Sequence, residues 1–376
     1  MRILIVDNAA HALQPLQQGF KDKRCQVAYL DSVLLAVKSI KKYKFDAIIV
    51  NEKLTSSSGY DLLNALSLKY PQFIRIGVTE KNDPQHKLKQ VSHYLYSFPL
   101  PIDTIISNLL GIAEQQKTIT KEIIVKSVAG IKTLPSPPKV YLQLNAMLEN
   151  NSTDSQKIAD IITQDPALTA KILQISNSPG MNTGKPLNNI ADAITKMGLE
   201  ALSCVVMTAE LFAYEPDIQG FSIINEQLHS LAVAKLAASL VKPHLRQQTM
   251  LGGLLHDIGR VVLFEIDHQL TKTYFKHCST SHDNISLEHK IFGTDHCRIG
   301  GYLLHCWNFP YSLILVLLNH HNPEKLLTNE FGAAQAVYLA NCLLNEQVPH
   351  TKFLEHFKLT NNLESLQQKA QRYNVK

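Results

Sequence analysis

No apolar run in this sequence approaches the roughly 20 residues that a membrane-crossing helix requires. The richest stretch, residues 313–318, is far shorter. An export signal is not expected either, since Met1 and Arg2 lead directly into an apolar strand and then Asp7. A cytoplasmic protein without membrane partners is therefore expected. The six cysteines are scattered, with no C-x-x-C spacing, so buried thiols are expected rather than disulfides or thiolate metal ligands. Cys297 and Cys306 lie near histidines, and a redox role is raised only for these two. There is no arginine-rich block and no zinc-finger spacing. The net charge of +5 is spread along the chain, which does not indicate a nucleic-acid surface. What is present is a chain of 376 residues, longer than one average domain, with 45% hydrophobic residues, enough for two real cores.

The first third alternates strand and helix. Apolar strands are expected over 2–6, 26–29, 47–50, 73–78 and 94–96. Between them come a helical stretch over 10–20 and the helical spacings Val33, Leu34, Val37, Ile40 and then Leu62, Leu63, Leu66. The helix marked by Ile102, Ile105, Ile106 and Leu109 closes the series. Fully apolar strands alternating with helices predict an α/β doubly wound parallel sheet covered on both faces. Sites in such folds lie beyond the carboxyl ends of the strands.

Those ends carry Asp7-Asn8, Asn51, Thr79 and Ser97-Phe98-Pro99. The run Asp46-Ala-Ile-Ile-Val-Asn51, followed by Gly59, resembles the response-regulator receiver pattern, a (βα)5 domain. By that resemblance Asn51 stands where the phosphorylated aspartate belongs. Asn8 replaces one of two metal-binding acids, and Phe98 replaces the phosphate-pairing lysine. Asp7 and the switch-type Thr79 remain. An amide cannot replace a carboxylate as phosphoryl acceptor, and the lost charges weaken the hold on Mg2+ and on phosphate. The domain over 1–117 is therefore expected not to be phosphorylated and to act in docking or dimerisation. For Asp7 two readings stay open, a cap for the following helix and a residual ion-binding role.

Past residue 110 the composition turns polar, and a linker over 118–130 is expected, helical or simply solvated. Gly130 and the prolines of 135–138 break the pattern. From 139 onward helical periodicity takes over. Asp165-Pro166 is a helix start, with an aspartate cap and proline at the first position. Gly198 stops a short helix, and further helices are expected across 225–241, 248–258 and 311–321. Residues 131–376 thus read as an all-α domain with a C-terminal extension.

Seven short motifs here resemble the HDOD family, which is related to the HD phosphohydrolases. They are Leu134-Pro135-Ser-Pro-Pro, Ile162-Thr-Gln-Asp165-Pro-Ala-Leu168, Ile175-Ser-Asn177-Ser, Ala193-Ile-Thr-Lys-Met-Gly198, Gly253-Leu-Leu-His-Asp-Ile-Gly259, Phe292-Gly-Thr-Asp-His296 and Trp307-Asn-Phe-Pro310. The resemblance implies an incomplete hydrolase site with a regulatory role. It also assigns candidate metal ligands: His229, the signature pair His256–Asp257, then His296 with His320 or His321. Asn341 occupies the last acidic position. Asn adds no charge, so affinity for Mn, Fe, Zn or Mg should fall. The glycine-tyrosine-proline signature of the cyclic-dinucleotide-cleaving relatives is missing after His320-His321, and Arg260 stands where they carry lysine. Asp257 and Arg260 are the catalytic candidates. Structural histidines remain the alternative, above all for His305 and His321, and His244, His277, His282 and His289 read as surface residues.

Together these features predict a non-catalytic two-component-type regulator with unknown signalling partners. A receiver-mediated homodimer and a nucleotide ligand are left open. The rival reading is a metal-dependent phosphohydrolase acting on a nucleotide or cyclic dinucleotide through His229, His256 and Asp257.

Overall fold

The computed structural model describes residues 1–8, 10–54, 58–70, 73–80, 87–120, 122–129, 139–149, 155–177, 186–211, 220–278, 284–307 and 309–373. Gly130, the proline run of 135–138 and His282 lie outside the described residues. The chain divides into two compact units, Met1–Lys121 with Tyr302–Tyr311, and Glu122–Gly301 with Ser312–Lys376. No helix of the described residues is long and apolar enough to cross a membrane.

The first unit is built on five parallel strands, β1 (Arg2–Val6), β2 (Gln26–Leu30), β3 (Ala47–Asn51), β4 (Ile74–Thr79) and β5 (Tyr94–Ser97). Their order is β2-β1-β3-β4-β5, so the order reverses beside β1. Crevices at such reversals hold the sites of doubly wound folds. β3 and β4 are buried along their whole length. Burial on both faces explains why they read as nearly unbroken apolar runs. The exception is the fully buried Arg75, whose Nε donates to the Val91 carbonyl at 3.1 Å and whose Nη1 donates to the Phe73 carbonyl at 2.9 Å.

Helices α1 (Gln14–Asp22), α2 (Val33–Lys42), α3 (Gly59–Lys69) and α4 (Ile102–Ile119) complete this unit. α1 begins later than its apolar spacing suggests. His11 holds a left-handed φ of 53°, Pro15 lies in the first turn, and the Leu13 amide is taken by Asp7. Between β4 and β5 the described residues form only a 3-10 turn, Lys87–Gln90, which buries Leu88.

The second unit is helical. It opens with α5 (Glu122–Ala129), α6 (Lys139–Glu149), α7 (Ser155–Thr163), α8 (Pro166–Ser176), α9 (Ile190–Met197) and α10 (Leu199–Leu211). Asp165 caps α8 by accepting from the Ala167 and Leu168 amides, and α9 ends at Gly198 with φ 80°. Next come α11 (Ile223–Ala238), α12 (Arg246–Leu255), α13 (Ile258–Glu265), α14 (His268–Cys278) and α15 (Asn284–Phe292). α16 (His296–Cys306), α17 (Tyr311–Asn319), α18 (Ala333–Leu344), α19 (Thr351–His356) and α20 (Leu363–Gln371) finish the chain, with residues 302–311, at the end of α16 and the start of α17, counted in the first unit. α11, α12 and α18 pack against one another.

Two glycines set how closely the helices approach. A Cβ on Gly253 would lie 2.5 Å from Ala234 Cα in α11, and one on Gly259 would lie 1.9 Å from the His296 carbonyl. Only glycine fits such contacts, and they bring His256, Asp257 and His296 to one place.

Candidate metal centre and carboxylate pocket

In the first unit the strand register places Asp7, Asn51 and Thr79 together at the reversal point. Asp7 is fully buried, and each of its carboxylate oxygens accepts two hydrogen bonds. Oδ1 accepts from Asn51 Nδ2 at 2.7 Å and from the Asn8 amide at 2.8 Å. Oδ2 accepts from the Leu13 amide at 2.7 Å and from the Tyr29 hydroxyl. A carboxylate has about four lone-pair sites, so Asp7 has none left for an ion. Burial, reinforced by Asp7, raises the Tyr29 pKa and keeps that hydroxyl protonated as a donor.

The other pocket residues are also occupied locally. Asn8 Nδ2 donates to the Lys53 carbonyl at 3.1 Å, and its Oδ1 accepts from the Ala10 amide at 3.0 Å. The Thr79 hydroxyl donates to Glu52 Oε2 at 2.6 Å. Phe98, half-buried, brings no charge. Asp7 thus anchors the chain entering α1 and tethers Asn51 across the strands. Tyr29 is the member of this network that sequence reasoning missed, because it sits inside an ordinary apolar strand.

In the second unit α12 stops at Leu255, and His256 and Asp257 occupy the break before α13. Asp257 stands at the N-cap of α13, yet its side chain makes no capping bond. Its carboxylate is turned to a histidine cluster instead. Asp257 Oδ1 lies 3.1 Å from His296 Nε2 and 3.4 Å from His320 Nε2. Asp257 Oδ2 lies 3.3 Å from His256 Nε2.

The far nitrogen of each of these rings is fixed. His256 Nδ1 donates to the Gly253 carbonyl at 2.8 Å and His320 Nδ1 to the Leu317 carbonyl at 2.7 Å. His296 Nδ1 lies 2.8 Å from Glu288 Oε2. Backbone or carboxylate acceptors on Nδ1 leave Nε2 facing the centre, which is how metal-binding imidazoles are oriented. Glu288 is fully buried and also accepts from the His296 amide at 2.9 Å, so it grips both ends of that residue.

Two groups of side chains meet the distance requirement for one ion, Asp257 with His296, His320 and His321, and His229 with His256 and Asp257. His321 is the exposed member. His229 Nε2 lies 2.9 Å from Asn341 Oδ1, which also accepts from Asn345 Nδ2 at 2.8 Å. The neutral amide therefore engages one nitrogen of a ring that belongs to the second group.

The electrostatics follow from crowding. Burial disfavours charge on Asp257, but His256, His296 and His320 outweigh it and hold the carboxyl well below its usual range. Burial likewise opposes protonation of His296 and His320. Cys297, together with the carboxylates, overcomes it, raising His296 well above its normal value and His320 to about 9. For His229, burial, reinforced by the neighbouring His256, outweighs the pull of Asp257 and pushes it down to about 4.

A divalent cation suits this donor set of imidazoles around one carboxylate. His256 Nε2 is buried with no hydrogen-bond partner nearer than the 3.3 Å approach of Asp257, which leaves it available as a ligand. Asp257, His296, His320 and His321 would hold one ion, and His229, His256 and Asp257 form the second set, with Asp257 shared between them.

Arg260 borders this centre, while His289 and His305 have partners of their own. Arg260 Nη1 pairs with Glu226 Oε1 at 2.9 Å and lies 3.6 Å from Asp257 Oδ2. Neither Glu226 nor Glu288 has a sequence signal, because each sits singly in a helical stretch. His289, expected at the surface, contacts Asp295 Oδ2 at 2.7 Å. His305 is buried, and its Nδ1 lies 2.8 Å from the Tyr311 hydroxyl. None of the six cysteines is in a disulfide.

Comparison with known proteins agrees with both units. Residues 3–98 match the response regulator receiver domain, and residues 134–323 match the HDOD domain. A solved HDOD domain protein of unknown function from Geobacter sulfurreducens is 22% identical, with a TM-score of 0.53 over 68% of this chain and 89% of that one. A candidate phosphohydrolase from Shewanella amazonensis is 20% identical, with a TM-score of 0.53 over 68% and 95%. A candidate signal transduction protein from Marinobacter aquaeolei is 18% identical, with a TM-score of 0.51 over 77% and 72%. At these identities the likeness establishes the fold alone.

An uncharacterised protein of Treponema pallidum is 23% identical over 277 residues, 66% of this chain. The chain spans 53% of the length of that relative. A receiver joined to an HDOD domain is an arrangement that fits a signal transduction protein. With half of its length matched by that domain and a receiver before it, the chain belongs to the HDOD family.

Proposed function

We propose that this chain is a regulatory signal-transduction protein whose receiver domain docks or dimerises without being phosphorylated, and whose HDOD domain senses or engages a partner around a divalent-metal centre. One observation carries the reading. Asp7, the acid that survives in the receiver pocket, is saturated by four donors, and one of them is the amide of Asn51 at the acceptor position. Among the described residues at the receiver-pattern positions Asp7, Asn8, Asn51, Thr79 and Phe98, neither a phosphoryl acceptor nor an open metal ligand is left.

The test is to incubate the full chain with Mg2+ and a small-molecule phosphodonor, followed by mass mapping. No stable label within the pocket is the expected result. A stable acyl phosphate mapped to Asp7 or its neighbours would sink the proposal.

A second reading, a metal-dependent phosphohydrolase, is favoured by the convergence of His256, His296 and His320 on Asp257. An ion held there would supply Lewis acidity and lower the pKa of water. The chain's own part would be to orient the imidazoles through Gly253, Leu317 and Glu288. Phosphodiester turnover by Mn-loaded protein, lost in His256→Ala, would establish that reading. Metal uptake without turnover is what the regulatory reading expects.

A further inference from the structure

Arg260 is the one guanidinium beside the histidine cluster among the described contacts, and it is already engaged. Its Nη1 lies 2.9 Å from Glu226 Oε1 and 3.6 Å from Asp257 Oδ2, so one positive charge faces two carboxylates. The pair is not sealed off, for the Arg260 side chain is 23% exposed and that of Glu226 14%. A solute can therefore reach it. The pair is also incompletely satisfied, since Arg260 Nε and Glu226 Oε2 are both buried without a hydrogen-bond partner. A phosphate group approaching the centre would need that guanidinium as a two-pronged donor. It would meet the Glu226 carboxylate in place, with Asp257 behind it.

From this geometry we propose that Glu226 is a specificity-determining residue: its carboxylate occupies Arg260 and so keeps phosphate anions away from the centre. The inference deepens the regulatory reading, because a pocket that repels phosphate explains a hydrolase-like ligand set without phosphoester turnover. It stands on the Glu226–Arg260 contact and does not require the ion to be bound. Glu226 lies in the first turns of α11 and Arg260 in the first turn of α13. Packing between separate helices, not local sequence, therefore creates the obstruction.

The test is binding of inorganic phosphate to the full chain, metal-stripped and Mn-loaded, by calorimetry. Wild type and Arg260→Gln should bind equally weakly, because Glu226 has already taken the guanidinium. Glu226→Gln, nearly isosteric, should bind phosphate on the order of tenfold more tightly, as expected for gaining hydrogen bonds to a freed charge. The double variant Glu226→Gln/Arg260→Gln should lose that gain. Unchanged phosphate affinity in a folded Glu226→Gln protein would overturn the proposal. So would wild type binding phosphate several-fold better than Arg260→Gln, a comparison that holds even if the Glu226 variant fails to fold. Failure of the metal reading appears separately, as no Mn uptake, while the stripped-protein comparison still decides the role of Glu226.

Discussion

At the scale of single residues, the metal-centre reading makes two predictions of opposite sign in one assay. Glu288 fixes the orientation of His296 by holding its Nδ1 at 2.8 Å and its amide at 2.9 Å. Removing such an outer partner typically costs about 10–100-fold in metal affinity. Glu288→Gln is therefore expected to weaken Zn2+ or Mn2+ binding within that range, measured by competition with a chromogenic chelator. Asn341→Asp should do the reverse. The amide oxygen now accepts from His229 and Asn345 and contributes no charge. A carboxylate in its place adds a negative ligand beside His229, so affinity should rise by about tenfold or more. If both variants bind as wild type does, the cluster is a polar network and not a metal centre.

At the scale of elements, the glycine of the signature pair is a contact between helices. Any side chain on Gly259 collides with the His296 carbonyl, and backbone cannot swing aside as a side-chain tip would. Gly259→Ala should force α13 from α16, costing about 1–3 kcal/mol of stability. The melting temperature of the HDOD domain should fall, and metal affinity should fall with it because His256 and Asp257 are displaced from His296.

This element scale also marks where the sequence was legible. The central strands β1, β3 and β4 were readable because burial on both faces demands unbroken apolar runs. The signature pair His256–Asp257 was readable because a family motif marks it, but the helix expected across 248–258 stops at Leu255, just before the pair. Glu226, Glu288 and His289 were not readable. A lone acid or histidine in an amphipathic stretch resembles a solvated face, and only the folded chain shows that the two acids turn inward and that His289 meets Asp295. Tyr29 was hidden for the opposite reason, since its ring satisfies the apolar pattern of β2 while its hydroxyl serves Asp7. The late start of α1 escaped because the tie from Asp7 to the Leu13 amide is long-range in its cause.

At the scale of the whole molecule, two compact units with different chemistry should answer different perturbations. His93 is buried in the first unit, and its Nδ1 accepts from the Arg75 amide at 2.9 Å, a role open only to the neutral ring. Burial, with the nearby Arg75 charge, holds its pKa well below the usual 6.5. The sign follows from proton counting. Below pH 6.5 the unfolded chain binds a proton on this ring that the folded chain refuses, so stability is complete above that pH and is lost as the pH falls. The loss from this single group is about 1.4 kcal/mol per pH unit. The second unit should respond to metal instead, gaining about 2.7 kcal/mol when free ion exceeds its Kd a hundredfold. Scanning calorimetry of the full chain is thus expected to resolve two transitions, since multidomain chains depart from two-state behaviour. Lowering the pH from 7 to 5.5 should shift the receiver transition down, and His93→Gln should blunt that shift. Adding Zn2+ or Mn2+ should raise the HDOD transition alone. A metal-induced rise in the receiver transition would mean that the pocket at Asp7 still holds an ion, against the saturation of its carboxylate.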